Sequence, residues 1–292
     1  MTNIAGPSPS KTHRDENFPV ASRLISARHR GIILAFYRFA RAADDVADSP
    51  SLAEGEKLAL LDGLEHTLLG KDDAAADALP LRAALADRGL SPRHGQDLLT
   101  AFRMDVTKLR YQDWDDLVYY CTYSAMPVGR FVLDVHGESS TTWPASDALC
   151  AALQIINHLQ DCGADYRRLN RVYIPLDAFA GHGAEVSDLA SAKATPALLQ
   201  SVRDVAEQTG TLLDEAKPFS AQVTDLRLGL EIAVIQRLAL TLRRMLLARD
   251  PLSQRVHLTK AGFAGLGAIG ITEGLIRRFV KTHTPYRKAQ DA

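Results

Sequence analysis

Two pairs of aspartates are the residues of this chain whose type and spacing best suit chemistry. Asp44 and Asp48 form the first pair, and Asp161 and Asp165 form the second, far along the chain. Residues four apart lie on one face of an α-helix, one turn above the other. Several carboxylates around one cavity repel each other unless cations lie between them, and Mg²⁺ bound by oxygen ligands is the usual solution. The spacing therefore predicts Mg²⁺ holding a diphosphate.

The first pair belongs to a polar stripe. At about 100° per residue, four polar side chains fall within an arc of about 60°: Tyr37, Arg41, Asp44 and Asp48. Because the preceding residues 32–36 are too apolar for an exposed helix, we expect the stripe to face a cavity. A solvated acidic face is the alternative for this motif taken alone.

The second pair lies on a similar stripe. Gln154, Asn157, Asp161 and Asp165 fall within about 80° of arc. Apolar residues surround them, and a desolvated charge must be paired or must coordinate a metal. An ordinary salt-bridged surface is again the alternative. Arg41 and the basic run 167–171 are candidate donors to phosphate, although a single arginine is more typical of a surface charge.

A third segment, residues 119–129, mixes aromatic and small side chains. Small residues leave room beside a helix for a long hydrocarbon, and aromatic faces attract a cation. Close helix packing is the alternative explanation of the small residues. Pro127 predicts a kink in this helix, because proline removes a backbone hydrogen bond.

The elements that position these residues are predicted to be helices. Apolar residues recur at spacings of three and four, while sustained period-2 alternation is absent. The fold is therefore predicted to be all-α, with one domain over 14–282, a disordered tail at 1–13 and a flexible tail at 283–292. Residues 172–176 are predicted to form an extended loop. The predicted helices cover 19–26, 28–48, 52–70, 78–88, 92–110, 113–138, 144–168, 196–216, 221–249 and 259–281.

Composition narrows the class of protein. With 292 residues, 46% of them hydrophobic, the chain can bury a large core. The formal net charge of −1 gives no bulk attraction to nucleic acid, so no nucleic-acid partner is expected. Three cysteines make an odd number without a C-x-x-C spacing, so we interpret them as reduced core residues.

No long apolar run and no signal peptide are found in the sequence, so we expect a cytoplasmic protein. The Ala/Gly-rich stretch 261–271 is apolar but too short to cross a bilayer. Contact with the inner surface of a membrane is an alternative arrangement for it.

The segments around the two aspartate pairs resemble a known family. Residues 36–48 resemble the first aspartate-rich motif of the squalene/phytoene synthase family, and residues 154–175 resemble its second motif. The resemblance covers most of residues 14–280. It implies an all-α isoprenoid-synthase bundle with a central cavity and the head-to-head joining of two prenyl diphosphates with Mg²⁺.

The resemblance also implies roles for individual residues. Tyr120 would face the carbocation. The residues implied in binding Mg²⁺ and, through it, the diphosphate are Asp44, Asp48, Asn157, Asp161 and Asp165. Those implied in lining the diphosphate and reaction zone are Tyr37, Arg41, Gln154 and Arg171.

Two departures from the family pattern suggest a more specific activity. Asn17 stands in a segment where family condensing enzymes carry hydroxyl or basic donors, and Gln160 stands where they carry arginine before the second motif. Both changes remove donors for a second diphosphate, although Asn17 itself is kept as a substrate-binding candidate. The flanking segments 15–22 and 248–258 are similar to the hydroxysqualene-forming members of the family.

We therefore expect Mg²⁺-assisted ionisation of presqualene diphosphate and capture of the rearranged cation by water, giving hydroxysqualene without NADPH. Functional coupling to a presqualene diphosphate synthase and to an FAD-dependent hydroxysqualene reductase would follow. Condensation of two farnesyl diphosphates is the first alternative. A non-catalytic assembly or chaperone role is the second, and the intact carboxylates argue against it.

The residue that holds the water is not identified by any spacing. Four polar residues of the third segment and its continuation are candidates: Tyr120, Tyr123, Ser124 and His136.

Overall fold

The computed structural model describes residues 26–283, with side chains up to residue 278. Within that range the chain is helical, with two short 3₁₀ turns and no strand, so the all-α prediction is confirmed. The helices are α1 (Ala27–Ala47), α2 (Glu54–Leu68), α3 (Leu79–Arg88), α4 (Arg93–Thr107), α5 (Trp114–Ser124), α6 (Met126–His136), α7 (Trp143–Leu169), α8 (Leu176–His182), α9 (Pro196–Glu215), α10 (Phe219–Gln222), α11 (Leu226–Ala248) and α12 (Lys260–His283).

The helix predicted over 113–138 is two helices. The chain breaks at Ala125, whose φ of −125° and ψ of −48° are not helical, and Pro127 lies in the first turn of α6. Proline is tolerated there because the first N–H groups of a helix have no intrahelical acceptor. The predicted distortion at Pro127 is confirmed, but one continuous helix is wrong.

Two further differences from the predicted helices are larger than a shift of a helix end by a few residues. The segment 221–249 contains the end of α10, an extended turn at Val223 and only then α11, which Asp225 caps by accepting from the backbone N–H groups of Arg227 and Leu228. The short helix α8 was not predicted, because seven residues carry too little periodicity. The predicted helix 19–26 lies largely outside the described residues, as do the tail at 1–13 and most of the tail at 283–292.

The second aspartate helix, α7, ends in a turn that leads the chain back across the bundle. Asn170 has a φ of 53°, in the left-handed region that asparagine tolerates at the end of a helix. The following residues run extended, and the backbone N–H of Val172 donates to Leu109 O at 3.0 Å. The predicted loop at 172–176 is confirmed over 172–175, while Leu176 is the first residue of α8.

The core has two parts, and the two aspartate helices come from different ones. One apolar cluster contains residues of α1, α2, α3 and α4, together with Phe131 of α6. The larger cluster surrounds α7, α9 and α11. The helix α6 packs against both α1 and α7. The polar ends of α1 and α7 lie together, because Arg171, just after α7, donates to Asp48 at the end of α1. No helix in the described range is long and apolar enough to cross a membrane.

Candidate active site

The first aspartate pair lies at the C-terminal end of α1, where Arg41 forms ion pairs with Asp44 and with the neighbouring Asp45. Arg41 donates from Nη1 to Asp44 Oδ2 at 2.8 Å and from Nη2 to Asp45 Oδ1 at 2.7 Å. Burial and the nearby Asp48 carboxylate nevertheless raise the pKa of Asp44 to about 7, because they outweigh the arginine. Burial therefore disfavours the charged form of Asp44 even beside its arginine.

Arg171 links the second motif to the end of the first by hydrogen bonds. This buried guanidinium donates to Asp48 Oδ1 at 2.5 Å, to Ala47 O at 3.1 Å and to Asp105 O at 3.0 Å. Burial opposes its charge, but Asp105 and Asp48 outweigh burial, so the pKa of Arg171 rises above its ordinary value. Arg168 adds a longer ion pair to Asp48 at 3.4 Å. The two motifs, distant in sequence, thus share basic residues.

The second pair lines an open cleft of about 450 Å³. Asp161 and Asp165 form one side, together with Arg167 and Arg168 from the last turn of the same helix. His158 Nδ1 lies 3.9 Å from Asp165 Oδ2. Carboxylates and arginines in one open cleft are suited to a cation and a phosphate together.

An apolar cavity of about 290 Å³ lies further along α7 toward its N-terminus. Its wall includes Ile33 of α1, Leu149 and Leu153 of α7, and Ile232 of α11. Gln154 and Asn157 line the same cavity, one to two turns from Asp161. Along α7 the surroundings therefore change from an apolar cavity to a cleft lined by charged residues of both signs, as an amphiphilic substrate with a charged head requires.

A cluster of buried tyrosines lies beside the first motif. Asp105 of α4 accepts hydrogen bonds from Tyr120 at 3.0 Å and from Tyr173 at 2.8 Å. Burial raises the pKa of Asp105, although Arg171 and the two phenols act against the rise. His158 stacks on Tyr173, with 3.4 Å between ring centroids, and shares a hydrogen bond of 3.0 Å with Gln154.

Asp105 and His158 are the residues that sequence reasoning missed. His158 lies between Gln154 and Asp161 and is within one turn of both, so its helical position was a usable signal. No local signal identified Asp105, because its partners come from α5 and from the loop after α7.

The structure groups most of the predicted residues. Arg41, Asp44 and Asp48 lie in the last turns and the C-cap of α1, and half-buried Tyr37 lies one turn before Arg41 near the middle of the helix. Asp161 and Asp165 share the cleft, while Gln154 and Asn157 face the adjoining cavity. Their roles with ligand remain predictions. Asn17 lies outside the described residues.

Gln160 does not face the cleft. Its side chain is buried and its amide donates to Val256 O in the loop after α11. Gln160 therefore contacts that loop instead of the cleft. The absence of a diphosphate donor at this position remains a prediction.

The four candidates for holding water are placed differently. Ser124 lines the apolar cavity. The hydroxyl of Tyr120 is donated to Asp105, Tyr123 packs edge-on against Tyr119, and His136 packs against His29 at 4.3 Å between centroids.

The three cysteines are free thiols, as predicted. Cys121 and Cys162 are buried, and Cys150 lines the apolar cavity. Burial raises the pKa of each thiol to about 12, so all three stay protonated near neutral pH.

The donors present suit Mg²⁺, although they do not form a ready-made cage. Among the described residues, no group of three His, Cys, Asp or Glu side chains is spaced to hold one ion. Mg²⁺ needs only one or two carboxylates, since waters and substrate phosphates complete its shell. A cation bound beside Asp44 would favour its charged form, which burial and Asp48 disfavour. The residues therefore fit a cation that arrives with a diphosphate.

Similarity to known proteins shows the family to which the chain belongs. Residues 11–262 match the family model described as squalene/phytoene synthase. The chain belongs to the squalene/phytoene synthase family. Among curated family members it is 57% identical over 278 residues to a hydroxysqualene synthase from Rhodopseudomonas palustris, with 95% of each chain covered. It is 51% identical over 269 residues to a hydroxysqualene synthase from Zymomonas mobilis, with 91% of each covered.

Solved structures agree with the family assignment. The crystal structure of squalene synthase HpnC from Alicyclobacillus acidocaldarius is 29% identical, with a TM-score of 0.67 over 78% of this chain and 88% of that one. A dehydrosqualene synthase in complex with ligand gives a TM-score of 0.72 over 92% of this chain and 93% of that one. At 20% identity, this second likeness shows the shared isoprenoid-synthase fold.

Proposed function

We propose that this protein is a hydroxysqualene synthase that converts presqualene diphosphate and water to hydroxysqualene and diphosphate, with Mg²⁺ and without NADPH. The observation that carries the proposal is the 57% identity, over 95% of both chains, to a relative with that name. The charged cleft near an apolar cavity on the same helix supports it, because presqualene diphosphate has a charged head and a long hydrocarbon body.

In this reaction the carbon–oxygen bond to the diphosphate breaks, and both electrons leave with the diphosphate. The cyclopropylcarbinyl cation rearranges, a water oxygen forms the new carbon–oxygen bond, and the proton that water loses leaves with diphosphate or solvent. Mg²⁺, when bound, neutralises the leaving group. Asp44, Asp48, Asn157, Asp161 and Asp165 would hold it.

The protein groups have separate tasks in the proposal. Arg171 holds Asp48 in place and keeps the two motifs together. Arg41 and Arg168 are the basic groups available to the diphosphate, once their pairing with the motif aspartates is exchanged for phosphate oxygens. The apolar wall around Leu149 and Leu153 excludes bulk water, so that the cation is captured only where water is admitted.

Under this proposal the substrate must come from an enzyme that condenses two farnesyl diphosphates. The allylic alcohol product suits an FAD-dependent reductase. Both substrate and product are strongly hydrophobic, so contact with a membrane surface belongs to the same proposal.

The decisive assay incubates the purified protein with presqualene diphosphate and Mg²⁺, with and without NADPH, and identifies the products by mass spectrometry. We expect hydroxysqualene in both cases and none with Mg²⁺ removed by chelation. Squalene formed only with NADPH, or consumption of farnesyl diphosphate by the protein alone, would instead identify a condensing or reducing synthase.

The aspartates are tested by isosteric replacement. Asp44→Asn and Asp161→Asn each remove one charge, and we expect kcat to fall at least about 100-fold, since even outer-shell partners of a metal commonly contribute 10–100-fold. Asp87→Asn is the matched control, because Asp87 is exposed at the end of α3, away from the cleft. Turnover retained by both motif variants would refute the metal role.

A further inference from the structure

The last described helix, α12, has two different faces. Its inner face contacts α11 closely: a Cβ added at Gly270 would lie 2.7 Å from Val234 Cα, and one at Gly274 would lie 2.8 Å from Ala233 Cβ. Only glycine allows this approach. The outer face carries exposed residues at spacings of three and four, which we call the outer stripe: Ala261, Ala264, Gly265, Ala268, Ile269, Thr272, Leu275 and Ile276.

The outer stripe is the main concentration of exposed aliphatic surface in the described part of the chain. Ile269 is 44% exposed, Leu275 48% and Ile276 58%. Leu226, at the start of the neighbouring α11, is 51% exposed. Thr272 is the only polar member of the stripe. A continuous apolar stripe of this kind marks an interaction surface, whereas single exposed aliphatics need no explanation.

The exposed charges that border the outer stripe are few and positive, beginning with Lys260 at the start of α12. Between residues 260 and 278 the sequence has three basic residues and one acidic residue. The acidic residue, Glu273, is already paired with Arg237 at 3.2 Å. Arg277 and Arg278 turn away from the stripe: Arg277 donates to Lys217 O and to the amide oxygen of Gln236, and Arg278 donates to Val223 O and Thr224 O. Exposed Arg227 adds a cation beside Leu226.

We propose that the outer stripe of α12 docks the protein on the surface of a lipid bilayer that contains anionic headgroups, with Ile269, Leu275 and Ile276 entering the boundary between headgroups and acyl chains. A helix with an apolar face and basic flanks binds in this way, lying in the plane of the interface. Each flanking cation gains further from an anionic membrane surface.

A second copy of this chain suits the surface less well. A two-fold interface places the same patch against itself, so that the excess of basic residues around the stripe would face an equal excess. An anionic bilayer instead complements both the apolar stripe and its charged border. The hydrophobicity of the substrate and product points the same way, and that one argument rests on the proposed function.

The test is binding of the full chain to vesicles, which requires no turnover. Protein is floated with vesicles of phosphatidylcholine alone or of phosphatidylcholine with phosphatidylglycerol. We expect binding that is stronger to the anionic vesicles and weakens with salt. The double variant Ile269→Asn/Ile276→Asn should bind at least about tenfold more weakly, because two aliphatic side chains no longer leave water.

Two further variants separate the stripe from general surface hydrophobicity. Tyr119→Asn removes an exposed aromatic on α5, 55% exposed, and should bind vesicles like the wild type. Ile269→Leu/Ile276→Leu keeps the aliphatic character and should also bind normally. All variants should convert presqualene diphosphate supplied in detergent micelles at the wild-type rate, so failure of the docking surface and failure of the proposed activity are distinguishable.

Three results would overturn the proposal. They are a wild-type protein that does not float with either vesicle, an asparagine double variant that floats as well as the wild type, and a wild-type dimer in light scattering that the double variant converts to monomer. The last result would assign the outer stripe to contact between copies of the chain.

Discussion

The tyrosine cluster around Asp105 shows how single residues hold the site. Tyr111, Tyr120 and Tyr173 pack with ring centroids 5.2 to 5.6 Å apart. Two of the phenols donate to Asp105, while the buried hydroxyl of Tyr111 has no hydrogen-bond partner in the described structure. Among these three packed tyrosines, the hydroxyls of Tyr120 and Tyr173 donate to Asp105 and that of Tyr111 does not.

This difference gives a matched test. Tyr173→Phe leaves the buried Asp105 carboxylate with one hydrogen bond fewer, so we expect the free energy of unfolding to fall by about 1–3 kcal/mol. Tyr111→Phe removes a hydroxyl that makes no hydrogen bond, so it should be neutral or slightly stabilising. Urea denaturation of both variants measures the difference. Equal losses would show that the bond to Asp105 contributes nothing specific.

At the scale of elements, α6 and α11 are joined through one carboxylate. Glu138, just after α6, accepts from the backbone N–H of Thr224 at 2.7 Å, from its hydroxyl at 2.9 Å and from the N–H of Asp225 at 2.8 Å. These donors stand immediately before α11, whose Leu228 and Ile232 line the apolar cavity. Glu138 therefore sets the position of one cavity wall relative to another.

Replacing this carboxylate should loosen the join. We expect Glu138→Ala to lower the free energy of unfolding by about 2–4 kcal/mol, because several hydrogen bonds to a charged, nearly buried group are lost together. Glu54→Ala is the control, since Glu54 is an exposed residue in the first turn of α2 and should cost less than about 1 kcal/mol. Similar denaturation midpoints for the two variants would contradict the role of Glu138.

At the scale of the whole molecule, bound Mg²⁺ and diphosphate would link helices that belong to the two apolar clusters. The first motif ends α1, which packs in one apolar cluster, and the second motif lies on α7, which packs in the other. In the structure Arg171 and Arg168 form ion pairs that link the second motif to Asp48. A diphosphate with Mg²⁺ would add links between the same two helices.

Binding to the folded state alone must stabilise it. We expect Mg²⁺ with inorganic diphosphate at about 100 times its Kd to add about 2.7 kcal/mol to the free energy of unfolding, measured as a rise in Tm. Asp161→Asn should lose most of that rise, and Asp87→Asn should keep it. A rise that survives in Asp161→Asn, or that persists after chelation of the metal, would contradict a site shared by the two motifs.

The break between α5 and α6 shows where sequence reasoning succeeds in part. Proline chemistry predicted a distortion at Pro127, because the missing N–H is a property of that residue alone. Whether a helix bends or stops there depends on its neighbours. The break puts Ala125 and Gly129 on the cavity wall, against residues of α7 and α11 that are distant in sequence.

Helical periodicity and motif spacing act over a few residues, so they were enough to predict the two carboxylate stripes, the all-α fold and the family. The packing of the helices is needed to learn that Arg171 reaches Asp48, that Asp105 accepts from two tyrosines, and that Gln160 contacts the loop at Val256. Each of these contacts joins residues far apart in the chain, so each depends on how the helices pack. The outer stripe of α12 is similar: its apolar pattern is local, but its exposure follows from the opposite face packing on α11.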